Sequence, residues 1–279
     1  MIDRTQGQDE DARRAVAEGT LAVLANDWVN GEYKHLALAA AAPMTLARPG
    51  QFFQLLCPKA AGAGAPFLRR PMSTYRADPQ AGRLEFLYKV TGSGTRALAT
   101  LRQGDSLDVL GPLGRGFRLD RAWRHIAVIG RGVGLATLAP LAEAAAGLGI
   151  GMTAILSARR ADLVMSVDRF AAAGADVVSV HDEDGSSAPQ QVAAILDGLI
   201  ATDRADAFFT CGSERLLRLV QRYGDTHRIP CQVALEQQMA CGLGMCFCCV
   251  RAFRSDKAIS HRRVCCDGPV FDLQEAVSC

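Results

Sequence analysis

Three cysteines near the end of the chain, Cys241, Cys246 and Cys249, stand at C-x4-C-x2-C, and an adjacent pair, Cys265 and Cys266, follows within about one hairpin's length. No other feature constrains the fold as much, because thiolates at this spacing are arranged to converge. The pattern is the plant-type spacing for a [2Fe–2S] cluster. Gly242 and Gly244 fall where such a loop must bend sharply and bring its backbone close to inorganic sulfur. Zinc is the competing reading, since Cys246-x2-Cys249 also suits a tetrahedral zinc site. The C-x4-C prefix and the two glycines favour iron and sulfur. Neighbouring side chains diverge, so one of Cys265 and Cys266 is expected to be the fourth ligand. Cys248 is expected to point away.

The chain has ten cysteines in 279 residues. A short secreted protein would use such a number for disulfides. This chain is long and shows no charged n-region followed by an apolar h-region, so a reducing, cytoplasmic setting is expected. Cys57, Cys211, Cys231, Cys248, Cys266 and Cys279 are left over and read mostly as small buried hydrophobes. A net charge of +2 without a long basic run argues against a nucleic-acid partner. No uncharged apolar run is long enough to suggest a membrane span.

Patterning divides the rest into a multidomain α+β chain. Residues 1–19 read as a polar tail with a short helix around 9–18. Residues 20–120 carry short apolar runs at 20–24, 35–39, 51–56, 83–90 and 106–110, punctuated by Gly31, Gly50, Gly82, Gly104 and Gly111. That rhythm predicts an antiparallel β-barrel or sandwich. Residues 121–236 alternate: strands are expected at 125–129, 152–156, 176–180, 207–210 and 231–235. Helices are expected from the glycine turn to about 146 and at 163–173, 189–200 and 214–222. This order predicts a doubly wound parallel α/β domain. Residues 237–279 form a small, loop-rich C-terminal domain holding the cysteines.

Several motifs carry chemistry. The strand at 125–129 runs into Gly130-Arg131-Gly132-Val133-Gly134 and then a helix, a junction suited to phosphate. Leu135 breaks the full G-x-G-x-x-G pattern, so a plain tight strand–helix junction stays open. Ser157-Ala158-Arg159-Arg160 ends the second strand without an acid; its arginines suit either a 2′-phosphate or a solvated loop. Thr210-Cys211-Gly212-Ser213 closes a parallel strand, which places Cys211 to line a nucleotide site or simply to be buried before a Ser213 helix cap. In the first half, Arg69-Arg70-Pro71-Met72-Ser73-Thr74 combines cation, rigid turn and hydroxyls, and Lys89 to Thr95 combines a strand end, a flexible turn and a hydroxyl. Either suits phosphate or an ordinary surface turn. The five histidines show no common ligand spacing, and no acid–base or nucleophile arrangement marks a catalytic residue.

Taken in order, Arg-Pro-x-Ser, the glycine–threonine turn, Gly111-Pro112-Leu113-Gly114, the glycine-rich turn, Cys-Gly-Ser and the cysteine cluster resemble the electron-transfer subunits of dihydroorotate dehydrogenase B, in the ferredoxin reductase superfamily. The resemblance spans about 20–275. Val264-Cys265-Cys266-Asp267-Gly268-Pro269-Val270-Phe271 is similar to the family's V-C-x-D-G-P-V-F, which implies Cys241, Cys246, Cys249 and Cys265 as cluster ligands. The resemblance implies an FAD barrel domain at 20–120. FAD would be held by Arg70, Pro71, Met72 and Ser73, by Leu87, Tyr88 and Lys89, and by Gly94 and Thr95. An NAD(P)H-facing turn at Gly130, Gly132 and Gly134, with Cys211 nearby, would serve the co-substrate. Arg131 and Thr137 depart from the family's usual glycine and proline, and both bear on the choice between NAD and NADP.

The implied activity is an electron relay between NAD(P)H, FAD and the cluster, and on to the FMN of a dihydroorotate dehydrogenase in pyrimidine biosynthesis; two rival readings stay open. The implied assembly is a heterotetramer without nucleic acid or membrane. One rival is the same module serving a dihydropyrimidine dehydrogenase, a hydrogenase or sulfide dehydrogenase, or a bifurcating transhydrogenase. The other is a non-catalytic, zinc-stabilised interaction module. In the relay, the surface near Gly242 to Met245 is expected to be covered by the partner.

Overall fold

The computed structural model describes residues 16–59, 66–254 and 258–277. Most of the expected N-terminal tail and its helix lies outside them. Strand β1 (Ala17–Trp28) already begins inside that stretch, so residues 17–19 are sheet and not helix or tail. Packing separates two units. One groups the described residues of Met1–Gly116 with Gln237–Val250 and Arg263–Gly268; the other groups Phe117–Glu236 with Arg251–Arg262 and Pro269–Cys279.

The first unit is a curled antiparallel sheet. Its strands are β1, β2 (Tyr33–Ala39), β3 (Phe52–Leu55), β4 (Arg70–Ser73), β5 (Arg76–Asp78), β6 (Arg83–Lys89) and β7 (Ser106–Leu113), in the order β4-β3-β7-β1-β2-β6-β5. Helix α1 (Ser93–Leu98) follows β6. Period-two patterning builds the core. Leu36, Leu38, Phe53, Leu55, Leu84, Phe86, Leu107 and Val109 turn to one face and are buried together. Phe53 and Phe86 meet edge to face at 5.6 Å. Each such side chain contributes roughly 1.5–3 kcal/mol by leaving water. A strand, β4, forms where the sequence suggested a turn. Pro71 fits it because β4 lies at the sheet's edge, where a missing N–H breaks no inner ladder.

In the second unit, β8 (His125–Arg131), β9 (Gly151–Ala158), β10 (Asp176–His181), β11 (Ala207–Cys211) and β12 (Cys231–Ala234) pair in parallel in the order β10-β9-β8-β11-β12. The inner strands are mostly apolar and buried along almost their whole length, as in a parallel sheet covered on both faces. The connecting helices are α2 (Gly134–Gly147), α3 (Val167–Ala172), α4 (Pro189–Ala201) and α5 (Glu214–His227). Helix α2 is buried almost all round, which its alanines permit. Helix α3 is shorter than expected: Ser166 adopts φ 67°, a left-handed conformation that separates it from the 3-10 turn Ala161–Leu163.

Beyond Glu236 the chain visits both units. Strands β13 (Val250–Arg254) and β14 (Ile259–Arg263) pair with each other. The short helix α6 (Val264–Asp267) follows, and β15 (Val270–Asp272) adds antiparallel to β12, with Val233 opposite Phe271. That pairing covers an edge of the parallel sheet, a role the sequence pattern did not indicate. No helix among the described residues is long and apolar enough to cross a membrane.

Candidate cofactor site

The cysteine loop and α6 belong to the same unit, so their geometry is direct. Gly242 and Gly244 have φ of 72° and 80°, and Phe247 is also left-handed at 57°. These positive values wind the backbone tightly around Cys241. The Leu243 N–H donates to Cys241 Sγ at 3.3 Å. Burial works to raise the Cys241 thiol's pKa, but N–H donation from Leu243, Cys246 and Met245, with the Cys246 side chain, outweighs it and brings the value down to about 6. The chain has therefore built a nest for a negative sulfur.

The other two expected ligands form a second group. The Cys265 N–H donates to Cys249 Sγ at 3.4 Å, and the Val264 N–H donates to the Cys249 carbonyl at 3.0 Å. Cys249 and Cys265 are buried, and their side chains contact one another. Burial first, then Cys249 and Cys266, push the Cys265 thiol up: gathered thiolates are unfavourable without a cation. The four proposed ligands thus lie as two pairs, Cys241 with Cys246 and Cys249 with Cys265. Among the described residues no three His, Cys, Asp or Glu side chains surround a single-ion position. Two cysteines per iron is the ligand distribution of a [2Fe–2S] cluster, and this pairing is compatible with it. Cys248 is exposed. Cys266 is close by, its sulfur 3.7 Å from Cys265 Sγ and packed against Gly244.

Residues that no motif indicated hold this arrangement. Arg263 donates to the Gly244 carbonyl at 3.1 Å and grips Asp267 with Nε and Nη2, both at 3.2 Å. Its guanidinium also lies over the Phe247 ring at 5.6 Å. Arg263 therefore ties the loop to the turn that carries Cys265. Basic and acidic residues four apart in a short polar stretch look like any solvated ion pair in the sequence.

The two stretches expected to hold FAD also meet. A Cβ on Gly94 would lie 2.6 Å from Arg70 Nε, so only glycine lets the β4 arginine lie against the start of α1. Thr95 Oγ1 accepts from the N–H groups of Thr91 and Gly92 at 2.9 and 3.1 Å. Beside Ser73, the buried Thr74 hydroxyl has no hydrogen-bond partner, as expected where a polar group awaits a ligand. Pro71 and Met72 are half-buried in β4. Three residues would act through the backbone instead of the side chain. Leu87 is buried, Tyr88 is committed to Asn26 at 2.9 Å, and Lys89 is paired with Glu32 at 2.7 Å. Strand β5 pairs only as far as Glu85, so among the described residues no strand pairs with that side of β6 from Leu87 to Lys89.

On the parallel sheet, the glycine turn is a close-packed junction. A Cβ on Gly134 would meet the Cys211 carbonyl oxygen at 2.5 Å, and one on Gly130 would meet Leu138 at 2.7 Å. Gly132 has φ 57°. The Cys211 thiol is buried and bonded to Thr137, with its pKa pushed up by burial, so it does not open onto a surface. Arg131 reaches across the strand ends. It donates to Ser157 Oγ at 2.9 Å, the Ala158 carbonyl at 3.2 Å and both Asp182 oxygens at 3.1 and 2.6 Å. Arg215 at 2.7 Å and Ser187 complete the shell of Asp182. Arg131, then Ser187 and Arg215, hold the Asp182 carboxyl well below the usual carboxylate range. Asp182 and Arg215 were not singled out from the sequence, since only the fold brings them to Arg131.

Comparison with known proteins follows the same lines. Residues 236–277 match the family model described as the iron-sulfur cluster binding domain of dihydroorotate dehydrogenase B. The chain is 34% identical over 233 residues to the Bacillus cereus (strain B4264) protein named dihydroorotate dehydrogenase B (NAD(+)), electron transfer subunit; the match covers 82% of this chain and 86% of that one. The protein of the same name from Caldanaerobacter subterraneus is 34% identical over 229 residues, covering 82% and 87%. The solved structure of the NADH-dependent reduced ferredoxin-NADP oxidoreductase, described for flavin-based electron bifurcation, superposes with a TM-score of 0.77 at 26% identity, covering 92% of this chain and 90% of that one.

Proposed function

The chain belongs to the electron transfer subunits of dihydroorotate dehydrogenase B, and from that premise we propose how its residues serve a relay between NAD(P)H and a catalytic partner. When bound, FAD would accept two electrons as one hydride and a [2Fe–2S] cluster would accept them singly, so the two groups together would supply the chemistry that divides a two-electron donor into one-electron steps. Arg70 and Gly94 hold the flavin nucleotide, with Pro71, Met72, Ser73 and Thr95 beside them and the backbone of Leu87, Tyr88 and Lys89 at the open edge of β6. Cys241, Cys246, Cys249 and Cys265 hold the cluster. The N–H groups of Leu243, Met245 and Cys265 stabilise negative sulfur there. Gly130, Gly132, Gly134 and the end of β11 at Cys211 form the nucleotide edge of a doubly wound sheet. We read the curled sheet as the FAD barrel.

The pairing of the four thiols, each pair receiving backbone N–H groups, is the observation that carries this assignment. The exposed Leu243, Met245 and Phe247 place an apolar tip on the same loop, and we assign it to the FMN-containing catalytic subunit in a heterotetramer. The nine described cysteines are all free thiols, which suits the reducing cytoplasm we assign to the protein. Anaerobic purification with quantified metal and flavin tests the assignment. Flavin bands and about two irons per chain are expected; a colourless protein containing zinc would overturn it. The 0.77 TM-score to a bifurcating oxidoreductase supports a second partner class for the same module. Identification of the subunit that co-purifies from the source decides between the two.

A further inference from the structure

Strand β3 carries a side chain that its own unit does not explain. Phe53 and Leu55 turn into the core, whereas Gln54 turns to the opposite face. The pairing of β3 with β7 shifts register between Phe52 and Gln54, a bulge that re-aims the side chain. Gln54 is 0% exposed, yet neither Oε1 nor Nε2 has a hydrogen-bond partner among the described residues. A buried amide in that state has lost water and gained nothing in return. It lies against the cysteine loop of the same unit. A Cβ on Gly242, with φ 72°, would sit 2.6 Å from Gln54 Nε2. Gly242 directly follows Cys241, and across the strands Gln54 pairs with Pro71 of the flavin motif.

We infer that Gln54 is a positioning residue for the iron–sulfur group, its Nε2 donating a hydrogen bond to a sulfur held by the Cys241 loop. The inference rests on the cluster assignment above and adds a donor to it that no motif contains. Reduction adds one negative charge, and that charge is shared with the sulfurs. An N–H aimed at them therefore stabilises the reduced form and raises the reduction potential. A buried amide does this without the competition from water that weakens an exposed donor.

The test is a redox titration of the whole protein followed by EPR, with iron and flavin quantified in each sample. Gln54→Met keeps the length and removes the donor. It is expected to retain iron and flavin while its cluster reduction constant falls about tenfold, equivalent to a drop of about 59 mV for one electron. Gln54→Leu removes the donor with a smaller apolar side chain and is expected to fall by a similar amount. An unchanged potential in a Met variant that retains its iron overturns the inference. If that variant does not accumulate, an unchanged potential in the Leu variant overturns it instead. Wild-type protein that lacks iron would overturn the cluster assignment, a result distinct from an unshifted potential.

Discussion

Cys265 and Cys266 show how much one position matters. Both sulfurs lie near the loop, but only Cys265 pairs its side chain with Cys249 while its N–H reaches Cys249 Sγ. Cys265→Ser is expected to lose most of the iron, because an alcohol is a poor ligand for an iron–sulfur centre. Cys266→Ser is expected to keep about two irons per chain and the visible spectrum. Equal iron loss in the two variants, measured after anaerobic purification, would reverse the assignment. At this scale the spacing of the proposed ligands was legible because Cys241, Cys246 and Cys249 are close in sequence. The donors to their sulfurs were not, because backbone N–H groups are present at almost every residue and only the left-handed turns at Gly242 and Gly244 aim them.

At the scale of elements, the ends of β8, β9 and β10 bring together Arg131, Ser157, Ala158 and Asp182, and the start of α5 adds Arg215. Two guanidiniums share one carboxylate there. Asp182→Asn removes the negative charge and leaves both arginines to face an incoming anion. The ratio of NADPH to NADH affinity is expected to rise about tenfold, ~1.4 kcal/mol, since only NADPH carries a 2′-phosphate. Equilibrium binding of the two nucleotides measures it; an unchanged ratio would mean that this group of charges does not face the adenosine end. The parallel strands and most helices were readable from alternating apolar runs and glycine punctuation. Strands β4 and β15 were not. A proline inside the first and the brevity of the second hide them, and both exist only because an edge of another strand is available to pair with.

For the molecule as a whole, Leu243, Met245 and Phe247 remain exposed at 46%, 80% and 64% on the loop of the proposed cluster ligands. Large apolar groups grouped in this way mark a docking surface. Met245→Glu with Phe247→Asp is expected to keep the iron and flavin but to weaken assembly with the catalytic subunit about tenfold or more, because charges at the centre of an interface are left unpaired. Size-exclusion chromatography of the mixed subunits measures this, and unaltered assembly would place the interface elsewhere. The sequence by itself determined the chemistry: ligand spacing, apolar periodicity and the order of motifs are local properties, set by residues close together in the chain. Tertiary structure alone decided what surrounds that chemistry. It buried Gln54 against Gly242, laid Arg70 against Gly94, tied Arg263 to Gly244 and gathered two arginines on Asp182. Most of these contacts join residues tens of positions apart, and Gln54 and Gly242 lie farther apart still; none has a one-dimensional signature, because burial and hydrogen bonding depend on where the folded backbone carries each group.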